Sequence, residues 1–262
     1  MVNRTNYSYF TYQPDKATAI LLASLVGISL ITWIIQSIKT RFQPRRLVIL
    51  LLIAHLTIFI ELVLRASVCS KTFQTGTIFI VSAILLAVCQ RLILVADKVF
   101  LIQANDPNSR RSRIILITSI LAVAISGILL GVASKLSTKS HTVKSGFRLR
   151  RIAAAMLLSK AIVFYPLWYF TRTTKSTSPL AIVLLTISSI GSLIIGIFVF
   201  ITSYPVYFAL TINEEPWCYY FQLIPLAFIV CTWSIVHPQR SLLASPSKQE
   251  PLMENNNTDT HL

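Results

Sequence analysis

Acidic residues are scarce in this chain of 262 residues, with nine Asp and Glu against 24 Lys and Arg and a formal net charge of +15. Hydrolytic and phosphate-handling signatures are absent. There is no GxSxG, no HExxH and no GxxxxGK[ST], so nothing points to a serine hydrolase, a zinc protease or an ATP-driven machine. The four cysteines lack CxxC spacing, and the four histidines do not gather, so no metal or other cofactor is expected. No polar stretch is long enough for a soluble catalytic domain, and the chain reads as a non-enzyme. The basic excess does not indicate nucleic acid, because Lys and Arg cluster at the ends of apolar runs, where they face anionic headgroups.

What is present is apolar length. Hydrophobic residues make up 54% of the chain, charged residues 13%, and mean hydropathy is +0.68. Seven runs, 17–38, 47–68, 77–102, 113–134, 152–171, 179–202 and 217–236, approach or exceed the roughly 20 helical residues that cross a hydrocarbon core about 30 Å thick. The fold expected is an all-α, polytopic bundle of seven transmembrane helices over 17–238. A polar head (1–16) precedes it and a disordered tail (239–262) follows.

Orientation follows from loop charge and small motifs. Lys39, Arg41, Arg45, Arg46, Arg110, Arg111, Arg113, Arg172, Lys175, Arg240 and Lys248 fall on one side, eleven in all. Arg4, Lys16, Lys71 and six in the loop 135–151 fall on the other, making nine. The first loop carries most weight. Sequons at Asn3 and Asn6 are useful only outside the cytosol, although Asn256 in the tail opens a third. Loop 203–216 has no Lys or Arg and carries Glu214 and Glu215. The expectation is an N-terminus outside, glycosylated at Asn3 and Asn6, and a cytoplasmic C-terminus. Cys69 and Cys218 then share the outer face and are candidates for a disulfide.

Charges inside spans cost about 2.5–3.5 kcal/mol each on insertion scales, so each requires a reason. His55, Glu61 and Arg65 lie in the second run, Gln90, Arg91, Asp97 and Lys98 in the third, and Lys160 in the fifth. Glu61 and Arg65 share a face. Axial position suggests an interhelical Glu61–Arg91 pair with His55 deeper, acting either as a structural clamp or as the lining of a substrate path. Asp97 and Lys98 are expected to snorkel to the cytoplasmic end. Gly127 and Gly131 read as a close-approach motif. Trp33 and the Tyr and Trp residues of 165–169, 204–207 and 217–220 read as an aromatic belt.

The two ends of the chain carry a resemblance. Tyr12-Gln13-Pro14 before the first run, then Glu215-Pro216-Trp217-Cys218-Tyr219-Tyr220-Phe221-Gln222-Leu223-Ile224-Pro225 and His237-Pro238, resemble the RTA-like family of fungal lipid-translocating exporters, named for resistance to aminocholesterol. The middle departs from that pattern. No Gly-Tyr separates Glu61 from Arg65, the fourth run lacks the usual Asp and Gln, and Gln222 stands where an Asp is usual. The resemblance implies movement or sensing of lipophilic small molecules such as sphingoid bases, with membrane lipids as partners and a role in lipid and drug resistance. Plasma membrane is the expected location, with vacuole and endoplasmic reticulum left open. The alternative is a seven-helix receptor or sensor, which would share the span count but lacks Asp-Arg-Tyr and Asn-Pro-x-x-Tyr. A retinal protein is excluded by the absence of Lys from the last run.

Overall fold

Helix α1 (Lys16–Lys39) begins where Asp15 caps it: Oδ1 accepts from the Ala17 amide at 3.1 Å and Oδ2 from the Thr18 hydroxyl at 2.5 Å. The Thr18 hydroxyl is the main cause holding the Asp15 carboxyl below its ordinary pKa. A lowered carboxylate pKa means that the cap is at full strength at neutral pH and weakens as acid protonates it. The computed structural model describes residues 15–67, 75–105, 110–137, 141–172, 178–208 and 216–239. It continues with α2 (Arg45–Ser67), α3 (Thr75–Asn105), α4 (Arg110–Ser137), α5 (Val143–Arg172) and α6 (Pro179–Ile201). Ser178 caps α6 through the Ala181 amide, and Pro179 occupies its first turn, where a missing N–H costs nothing.

The last long helix, α7, covers Pro216–Ile235. Its second segment, Tyr219–Leu223, is a π-helical turn leading into Ile224–Ile235. Pro225 explains the widening. Its ring crowds the preceding turn and supplies no amide, and a wider turn relieves the clash while the helix continues.

Of these helices, six are long and apolar enough to cross a membrane: α1, α2, α4, α5, α6 and α7. The protein is a polytopic all-α membrane protein. Its outer faces are apolar, with Leu21, Ile28, Ile117, Ile128 and Phe228 each 59% exposed or more. Helix α3 is not among the six, although a seventh span is expected over 77–102. Its described part carries Arg91, Asp97 and Lys98 within eight positions, and residues 93–101 are buried without a break. That half of α3 is wrapped by other helices rather than by lipid, while Val81, Ile84 and Val88 before it face outward. In agreement, α3 packs on α2, α4, α5 and α6, while α1 and α6 flank α7 and close the bundle.

Three further expectations change. The basic stretch 135–151 is predominantly helical, because α4 extends to Ser137 and α5 starts at Val143. Straight-chain Lys and Arg favour helix, and Arg150 and Arg151 lie over the rings of Phe208 and Tyr204 at 4.2 and 4.0 Å. Gly127 and Gly131 do not bring two backbones together. A Cβ on Gly131 would meet nothing within 4 Å, and one on Gly127 would meet the Arg91 side chain at 3.7 Å. Trp33 belongs to no interfacial belt; it is fully buried.

The close approach lies instead at the α4–α5 corner, where a Cβ on Gly146 would sit 2.9 Å from the Ser137 amide nitrogen and 3.0 Å from the Ala133 carbonyl oxygen. Backbone cannot retreat as a side chain can. Gly146→Ala is expected to destabilise the protein by about 1–3 kcal/mol. Gly131→Ala should be neutral or gain up to about 1 kcal/mol from helix propensity. Thermal unfolding of the two variants in detergent compares them directly.

Candidate functional site

Polar side chains line the inside of the bundle in tiers. The first tier joins the end of α2 to the start of α3 and α7. Glu61 and Arg65, one turn apart on α2, form an ion pair through Arg65 Nε and Glu61 Oε1. The Ser82 hydroxyl donates to the same Oε1 at 2.7 Å and receives Arg65 Nη2 at 3.2 Å. Arg65 Nη2 also lies 3.8 Å from Cys218 Sγ, and the guanidinium is 5.7 Å from the centre of the Tyr219 ring. Tyr219 in turn donates its hydroxyl to the Asp15 carbonyl at 3.2 Å, tying α7 to the start of α1. Glu61 is 0% exposed, and its second oxygen, Oε2, has no hydrogen-bond partner.

His55 forms the second tier, six residues earlier on α2, or about 9 Å along the axis. Its Nδ1 lies 2.7 Å from the Leu51 carbonyl, and its Nε2 is 2.9 Å from Ser234 Oγ and 3.3 Å from Ser29 Oγ. A neutral imidazole donates through one nitrogen only. Each ring nitrogen faces a carbonyl, Nδ1 that of Leu51 and Nε2 that of Val230 at 3.0 Å, so either tautomer donates to backbone while the other nitrogen is left to accept. Ser29 and Ser234 are themselves 2.8 Å apart, so α1, α2 and α7 meet here through side chains. Trp33 stacks on His55 with centroids 5.5 Å apart and meets His237 at 5.0 Å. Trp33 Nε1, Gln36 Oε1 and Ser37 Oγ, three polar atoms on one face of α1, are buried without hydrogen-bond partners.

The third tier belongs to α3. Asp97 does not snorkel. It is 1% exposed, and its Oδ1 accepts from the Ser188 hydroxyl of α6 at 2.6 Å; Trp233 Nε1 donates to that same serine at 3.4 Å. Lys98 is likewise inside, 3% exposed. Both sit in the half of α3 that is packed among other helices.

The expected Glu61–Arg91 pair does not form. Arg91 turns to α4, donating through Nε to Ser126 Oγ at 3.0 Å, through Nη2 to the Ser126 carbonyl at 3.1 Å and through Nη1 to the Ala87 carbonyl at 2.9 Å. Gly127, next along α4, lies against the same guanidinium, close enough that a Cβ there would touch it at ordinary contact distance. Glu61 points the other way, toward Arg65 and Ser82. Gln90 is buried, with its Nε2 lacking a partner, and Lys160 is half-buried on α5.

No known family model, curated protein or solved structure matches this chain. The residues that carry the resemblance are therefore placed by the geometry alone. Tyr219 closes the first tier, and His237 packs on Trp33 below the second. Trp217 and Phe221 stack at 5.7 Å on the outside of α7, both largely exposed, while Pro225 follows the π turn and Pro238 is buried. Tyr12, Pro14, Glu215, Asn3, Asn6 and Cys69 lie outside the described residues, and with Cys69 so does the Cys69–Cys218 pairing.

Sequence reasoning missed the serines. Ser29, Ser82, Ser126, Ser188 and Ser234 each accept or donate a contact described above, yet serine leaves little trace in hydropathy because it can bond its own helix backbone. A usable signal exists in α6, where Ser188, Ser189 and Ser192 fall on the buried side of an otherwise apolar helix.

Removing Arg65 strands a buried carboxylate. Arg65→Met should cost about 3–5 kcal/mol, and the double variant Glu61→Gln/Arg65→Met should recover much of it. Combining Glu61→Gln with Arg91→Met should be additive to within about 0.5 kcal/mol, since the two groups do not meet. A double-mutant cycle by denaturant titration in detergent checks both.

Proposed function

We propose that this protein moves or senses lipophilic small molecules within the bilayer, with the interior tiers of α1, α2, α3 and α7 as the path. The observation that carries the reading is Glu61 Oε2, an acceptor that is buried and has no partner, on a carboxylate whose other oxygen is already engaged twice. A buried polar atom is expected to have a partner, and a cationic or hydroxyl-bearing headgroup such as that of a sphingoid base supplies one. The resemblance to RTA-like exporters supports the same reading, because Tyr219 and His237 stand against the tiers.

In this reading α3 is a seventh span. Its 31 residues reach about 46 Å, more than the core requires, and its charges are sheltered by neighbouring helices. The N-terminus lies outside and the tail in the cytosol, on the weight of the first loop, where Lys39, Arg41, Arg45 and Arg46 gather. The expected location is the plasma membrane. A receptor or sensor is the second reading, favoured by the π turn of Tyr219–Leu223, a strained element that lies directly against Arg65.

Reconstitution into proteoliposomes with fluorescent sphingoid base and phospholipid tests this. Movement should exceed that of protein-free vesicles, and Glu61→Gln should slow it about tenfold or more, as loss of one charge-assisted hydrogen bond implies. Unchanged movement in the variant would make Glu61 structural. No movement of any lipid would refute translocation and leave the sensor.

A further inference from the structure

Counter-ions are in short supply on the α3–α5 seam. Among the described helices only Glu61 and Asp97 are acidic, and α6 and α7 contain no Asp, Glu, Lys or Arg at all. Lys98 of α3 is 3% exposed, Lys160 of α5 is half-buried, and the two are close enough to repel each other, with Asp97 the one nearby opposing charge. Asp97 does not neutralise both. It forms no ion pair with either, and its Oδ1 is drawn to α6 by Ser188. Neither ammonium group has a hydrogen-bond partner among the described residues, leaving a net positive charge inside the bundle.

Packing independently places the two lysines together. Leu94, Leu157 and Ala161 form one small apolar cluster, separate from the main core, with Leu193 of α6 against it. Lys98 lies one turn after Leu94, and Lys160 one turn after Leu157, so each lysine shares a helix face with a member of that cluster. Depth is informative as well. Lys98 is seven residues from the end of α3, about 10 Å. A helix of about 46 Å centred in a 30 Å core projects about 8 Å at each end, so the Lys98 backbone sits about 2 Å inside the hydrocarbon edge, within side-chain reach of the lipid phosphates.

We infer that Lys98 and Lys160 form a binding site for a phosphate-bearing anion at the α3–α5 seam. Two ammonium groups with open donors against an apolar patch suit an anionic phosphate, carried either on a lipid headgroup or free in solution. This site is distinct from the Glu61 tier and does not rest on translocation, so it stands or falls by binding alone.

Purified full-length protein would be equilibrated in detergent with phosphatidic acid, with phosphatidylcholine and with inorganic phosphate, and retained ligand counted by native mass spectrometry. Wild type should retain phosphatidic acid about tenfold more tightly than phosphatidylcholine. Lys98→Gln and Lys160→Gln should each erase most of that preference, Lys98→Arg should keep it, and Lys39→Gln, at the exposed end of α1, should leave it unchanged. Inorganic phosphate that binds and displaces the lipid would mark a free anion as the ligand; phosphatidic acid binding that phosphate does not disturb would mark the headgroup. Elution profile and helicity confirm folding of each variant, and Lys98→Arg carries the test if the glutamine variants fail to fold. Equal retention of both lipids without phosphate binding, a preference unaffected by both glutamine variants, or its loss in Lys39→Gln would overturn the site.

Discussion

Hydrocarbon offers no hydrogen bonds, so every polar atom within a membrane-spanning chain must find its partner inside the protein. The Glu61–Arg65–Ser82 cluster is where that constraint bears most on this molecule. A lone ionised carboxylate at that depth would be prohibitive, and Arg65 one turn away makes it tolerable. Having paired within its own helix, Arg65 extends outward to Ser82 of α3 and to Cys218 and Tyr219 of α7, and Tyr219 reaches the start of α1. One ion pair thus brings four helices together at one end of the bundle.

The rest of the interior follows the same logic with weaker groups. His55 joins α1, α2 and α7 through two serines, and Asp97 joins α3 to α6 through a third. Apolar side chains cover the outside, and the polar ones gather inside within a largely apolar core. Helix α3 carries its charges in its second half, which is buried among four neighbours. The same position shelters Arg91, Asp97 and Lys98, and it leaves the lysine pair of α3 and α5 short of counter-ions.

Apolar run length made the all-α membrane architecture legible, since about 20 consecutive apolar residues have few other uses. The Glu61–Arg65 pair was legible because spacing of four is local. Longer-range partners were not. Arg91 bonds Ser126 of α4 rather than Glu61, a choice of neighbouring helix that axial position cannot supply. Asp97 and Lys98 read as near an end, yet snorkelling depends on which neighbours surround the helix. Trp33 looked interfacial by type and is central because His55 and His237 lie on either side of it.

Whether the tiers form a path or a clamp depends on water and solutes reaching them, and cysteine accessibility measures that most directly. In a background lacking the four native cysteines, Ser29→Cys, Ser82→Cys and Ser188→Cys would be treated with a small charged thiol reagent in proteoliposomes. Ile28→Cys, on the outer apolar face and 67% exposed, would serve as the lipid-facing reference. Such reagents require a hydrated thiolate. The account predicts that Ser29→Cys and Ser82→Cys react well above the reference and that a fluorescent sphingoid base slows them. Interior cysteines as inert as Ile28→Cys would contradict a path and leave the tiers as a structural clamp.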